Sequence, residues 1–73
     1  MFNAKKKGNK KMTGKIFNYI NDIGESKKIV IGKLTDEGYH VFLWSNRTGD
    51  FCGHGYMSKE KLFDYLKHYN IKY

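Results

Sequence analysis

An α+β fold is what this sequence predicts: helix, three-stranded antiparallel meander, helix, in two layers, preceded by a basic N-terminal arm. Two amphipathic segments echo each other, Lys15-Ile16-Phe17-Asn18-Tyr19-Ile20 and Lys61-Leu62-Phe63-Asp64-Tyr65-Leu66. Three β-rich runs lie between them, separated by clusters of Asp, Asn and Gly. Six lysines fall within the first fifteen residues, five of them ahead of both segments, with no acidic residue among them. The formal charge of +7 therefore sits almost wholly in that arm. The remaining residues, with eight Lys/Arg against seven Asp/Glu, are close to neutral.

Taken in order, residues 1–12 are expected to form a flexible basic arm and residues 13–73 a single small domain. Thr13 is placed to cap a first helix, on which Ile16, Phe17, Tyr19, Ile20 and Ile23 gather on one side. Lys15, Asn18, Asn21 and Asp22 take the other side, and Gly24 supplies the left-handed residue that ends the helix. Gly14 weakens the first turn and the segment also reads as a strand; its echo of the later helix favours helix.

The runs Lys28 to Leu34, Tyr39 to Ser45 and Phe51 to Met57 read as strands. Thr35-Asp36-Glu37-Gly38 and Asn46-Arg47-Thr48-Gly49-Asp50 carry the residues that tight reversals need. Alternation groups Val41 and Leu43 with Ile29 and Ile31 beneath the helices, together with Gly53 and Gly55, where missing side chains let a helix approach. Strict alternation then puts Phe51 with those glycines, and Cys52 with His40, Phe42, Trp44, His54 and Tyr56 on the opposite face. Ser58 caps the last helix, whose apolar side is Leu62, Phe63, Tyr65, Leu66 and Tyr69.

Composition narrows the function classes. An aromatic share of 16% and a hydrophobic share of 40% suit a folded chain. A single cysteine, Cys52, excludes an internal disulfide framework and suits a reducing, cytoplasmic setting. The longest hydrophobic run, Val41 to Trp44, is too short for a signal peptide core or a membrane span, so no membrane association is expected. Asn46-Arg47-Thr48 matches a glycosylation triplet and is read as a turn. Met12 can serve as an alternative start that removes five of the six arm lysines.

No metal site is expected: Cys52 and His54 with His40 and His68 fall short of four tightly paired soft ligands. No cofactor is expected, because Gly53-x-Gly55 lacks the further residues of a nucleotide-binding loop. Cys52 near His54 has no orienting carboxylate or oxyanion donors, so no catalytic residue is assigned and the chain is read as a non-enzyme.

Two features remain as candidate binding groups. Lys5, Lys6, Lys7, Lys10, Lys11 and Lys15 suit phosphates, since clustered lysines gain from counterion release without reading sequence. His40, Phe42, Trp44, His54 and Tyr56 form an aromatic set that is a platform for unstacked bases, a partner interface or buried core, with Arg47 nearby.

Gly53-His54-Gly55-Tyr56-Met57-Ser58-Lys59-Glu60-Lys61, at a strand-to-helix junction, resembles the last strand and second helix of the double-stranded RNA-binding domain. That family carries a Gly-x-Gly-x-Ser-Lys-Lys-x-x-Lys pattern and the same helix, three strands, helix order. Here one additional residue separates Gly55 from Ser58, and Glu60 stands in place of a second lysine. The resemblance implies phosphate contacts at Ser58, Lys59 and Lys61; a capped, solvated helix start is the plainer reading of the same residues.

The resulting expectation is a small non-enzymatic accessory or regulatory protein that binds RNA or DNA, its lysine arm on phosphates. The competing expectation is a protein-binding modulator or inhibitor of phage or bacterial type, acting through its aromatic surface on a larger protein with an acidic surface. A homodimer is a further expected form of partnership.

Overall fold

The structure, a computed structural model, describes residues 12–73. Strands β1 (Ile16–Ile20), β2 (Ser26–Thr35), β3 (Gly38–Ser45) and β4 (Phe51–Met57) are followed by helix α1 (Lys59–His68). The strands form one antiparallel sheet in the order β1-β2-β3-β4. Arm residues Lys5, Lys6, Lys7, Lys10 and Lys11 lie outside the described residues.

This corrects the expected order. Among the described residues there is one helix, not two, and four strands, not three, because the segment read as the first helix is β1. Its backbone pairs with β2 from Ile16↔Val30 to Ile20↔Ser26. Phe17 and Tyr19 turn inward while Ile16, Asn18 and Ile20 turn outward, so its apolar residues serve both faces with period two. Five residues gain little as an isolated helix, whose first turn is costly to nucleate, whereas a neighbouring strand supplies partners at once. Gly24, expected to end a helix, instead takes φ +81° in the β1–β2 turn. There the Asn21 side-chain oxygen accepts from the Ile23 and Glu25 amides at 3.1 and 2.8 Å.

The other elements follow the predicted runs closely. Asp36 and Glu37 form the two-residue turn between β2 and β3, and Thr35 Oγ1 donates to the Gly38 carbonyl at 2.8 Å. Ser58 caps α1, its hydroxyl oxygen accepting from the Lys61 amide at 3.2 Å. At the other end Asn70 adopts φ +58°, while the Asn70 and Ile71 amides reach the Lys67 and Leu66 carbonyls at 3.0 and 2.9 Å. This is a Schellman closure with Asn in the usual glycine position.

Helix α1 covers one face of the sheet. The core comprises Met12, Tyr19, Ile29, Ile31, Tyr39, Val41, Leu62 and Leu66. Met12 is fully buried, so the folded body already includes the residue expected to close the arm. Lys15 also belongs to the body: its amide donates to the Met12 carbonyl and its carbonyl accepts from Ile31.

Candidate functional site

Strand pairing determines what the uncovered face displays. Val30↔Phe42 and Lys28↔Trp44 join β2 to β3, while His40↔Tyr56, Phe42↔His54 and Trp44↔Phe51 join β3 to β4. Directly opposed residues share a face, so His40, Phe42, Trp44, Phe51, His54 and Tyr56 all rise from the side away from α1.

Their rings form a continuous surface. His40 stacks on Tyr56 with centroids 4.5 Å apart and planes 18° from parallel, and it lies 4.2 Å from Phe42. His40 Nε2 and His54 Nδ1 are 2.9 Å apart, a hydrogen bond in which one imidazole donates and the other accepts. His54 continues to Phe51 at 6.2 Å, and Phe51 to Trp44 at 4.9 Å. Phe51 and Tyr56 are 47% and 48% exposed, which leaves ring area for a ligand to cover. Gly32 keeps the centre flat, since a Cβ there would stand 3.1 Å from the Phe42 ring and 3.0 Å from the His40 carbonyl.

Cationic groups border this surface. Lys28 Nζ lies 5.9 Å from the Trp44 ring centroid, close enough for a cation–π interaction. Arg47, exposed in the β3–β4 loop, borders a polar hollow of about 500 Å³ with Gly24, Glu25, Ser26 and Ser45. Asn46 holds that loop against the first hairpin: its Nδ2 donates to Asn18 Oδ1 and Ser26 Oγ, each at 3.0 Å. Beyond the Tyr56 end, Ser58, Lys59 and Lys61 open α1 and are exposed. The Ser58 hydroxyl already serves as the helix cap.

The expected aromatic residues thus share one face, and two members of the surface escaped the sequence reading. Phe51 was expected beneath the helix and Cys52 on the aromatic face, but a bulge between the Leu43 and Trp44 pairings reverses them. Phe51 therefore meets Trp44, while Cys52 turns toward Lys27, whose Nζ lies 3.6 Å from Sγ. Gly53, at φ +138°, was the available signal, since glycine inside a strand commonly marks a bulge. Lys28 carries no local sequence signal, since its place beside Trp44 follows from the register of β2 against β3.

The opposite face holds a smaller feature. Val41, Leu43, Gly53, Gly55 and Met57, with Cys52, His54 and Tyr56 of the same strand edge, line a cleft of about 310 Å³ along β4. Among the described residues no group of three or more His, Cys, Asp or Glu is arranged to hold a metal ion. Among them, too, no helix is long and apolar enough to cross a membrane. Comparison of the chain with protein-family models, curated proteins and solved structures finds no match.

Proposed function

We propose that this chain is a non-enzymatic nucleic-acid-binding accessory protein that holds unpaired nucleotides on the open face of its sheet. The observation that carries this reading is the unbroken ring surface from Tyr56 through His40, Phe42, His54 and Phe51 to Trp44. Bases stack on such surfaces without regard to sequence, because every base has a π-face. Lys28 and Arg47 at one end, and Lys59 and Lys61 beyond the other, supply cations for the backbone phosphates. The lysines of residues 1–11 add sequence-independent attraction.

A paired duplex hides its base faces, so the ring surface favours single strands. The test measures fluorescence anisotropy of labelled single-stranded DNA and RNA, and of the matching duplexes, titrated with the full chain. Tighter binding to the single strands, with quenching of Trp44 emission, is expected. Equal or stronger duplex binding, insensitive to loss of Phe51, would overturn the reading. Copurification with and without nuclease separates the protein-directed alternative, in which a protein partner persists after digestion.

A further inference from the structure

Strand β4 ends the sheet: β3 pairs with one side of it, and among the described residues nothing pairs with the other. Exposed sheet edges are ordinarily guarded by lysine, proline or an inward charge, because their unpaired amides and carbonyls recruit further strands. Phe51–Met57 contains no Lys, Arg, Asp, Glu or Pro. Its bulge lies at the Cys52 end, leaving Gly53 to Met57 in regular register against β3. On the α1 side of this segment, Cβ atoms added at Gly53 or Gly55 would meet nothing within 4 Å. The open space above them is the apolar cleft floored by Val41 and Leu43.

We infer that β4 pairs antiparallel with β4 of a second copy of this chain, joining two sheets into one across a two-fold axis at Gly55. Directly opposed residues must share a face, and centring the pair at Gly55 engages the whole regular segment while leaving both bulges outside. Gly53 then faces Met57 of the second copy, which packs partly against its own core and lines its own cleft, so the two clefts adjoin across the axis. His54 faces Tyr56 of the second copy, so the two aromatic surfaces meet across the axis. Asp50 precedes the strand and Lys59, Glu60 and Lys61 follow Ser58 just beyond it, so antiparallel pairing brings Asp50 of one copy toward a helix start of the other that carries two lysines against one glutamate. The interface is isologous, as closed two-fold assemblies require. This inference stands apart from the nucleic-acid reading and is tested without nucleic acid.

Sedimentation equilibrium of the nuclease-treated full chain, over about a hundredfold range of concentration, should show a monomer–dimer equilibrium. Gly55→Lys places two like charges together at the axis, and Gly55→Glu does the same with opposite sign; each should weaken the dimer about tenfold or more. An equimolar mixture of the two variants should restore a one-to-one dimer. Far-UV circular dichroism checks that each remains folded. For the wild type, amide exchange in Gly53 to Met57 should slow as concentration rises, a readout independent of any variant. A wild type monomeric throughout, a mixture that fails to pair while both variants are folded, or concentration-independent exchange in β4 would overturn the inference.

Discussion

Tyr19 on β1 and Tyr65 on α1, forty-six residues apart, join their hydroxyls at 2.5 Å with ring planes nearly perpendicular and centroids 5.8 Å apart. Tyr69 completes the cluster, 4.7 Å from Tyr19 and 5.0 Å from Tyr65. Its hydroxyl reaches Asp22 at 3.4 Å, in the turn that follows β1. This cluster fastens the first strand to the last helix. Tyr19→Phe leaves the packing and removes the hydroxyl contact, and should lower stability by about 1 kcal/mol in urea unfolding near neutral pH.

The same cluster makes stability depend on alkaline pH. Burial, then the hydrogen bond with Tyr65, pushes the Tyr19 hydroxyl well above the usual tyrosine range; burial and the Asp22 charge push Tyr69 the same way. A folded-state pKa above the unfolded value favours the neutral, folded form, so this contribution is complete below about pH 10 and is lost as pH rises beyond it. Urea unfolding at a series of alkaline pH values should show a decline that is shallower in Tyr19→Phe.

Two glycines should respond in opposite ways. At Gly38, with φ +112°, a Cβ would stand 2.3 Å from the Met57 carbonyl oxygen, and that backbone is held in the β3–β4 ladder. Gly38→Ala should therefore cost about 2–4 kcal/mol or prevent folding. Gly55 has open space at its Cβ position, so Gly55→Ala should be neutral or stabilising by about 0.5 kcal/mol, through the unfolded state. Thermal melts of the pair make the comparison.

Ser58→Ala should lower stability by about 1 kcal/mol, because the Lys61 amide loses its acceptor at the start of α1. Unfolding measurements read this directly. A parallel binding titration separates the cap from phosphate contact: a cap alone leaves affinity for single strands unchanged once the protein is folded.

Phe51→Ala and Tyr56→Ala should each weaken single-strand binding by about 1–3 kcal/mol with little change in stability, since both rings are exposed. Deletion of residues 1–11 should act differently. With about six lysine–phosphate contacts the intact chain loses roughly a thousandfold in affinity between 50 and 200 mM salt, and the deletion should flatten that dependence. Anisotropy titrations across salt concentrations distinguish stacking from charge.

Sequence alone determined β2, β3, β4 and α1, because in each the hydrophobic period, the length and the bounding residues agree: Asp36 and Glu37 at a turn, Ser58 at a cap, Leu62 and Leu66 one helical turn apart. It also placed Val41 and Leu43 opposite His40, Phe42 and Trp44, since side-chain alternation is local geometry. Lys15 to Ile20 was decided only by tertiary structure. Over six residues, helical and strand periods both find an apolar side, and the echo with Lys61 to Leu66 reflects similar composition in different partners' company. Pairing with Ser26 to Val30 selected the strand. The bulge at Cys52 was likewise settled by the register against β3, which counts residues across strands; that count exchanged Cys52 for Phe51 on the open face and completed the ring surface from Tyr56 to Trp44.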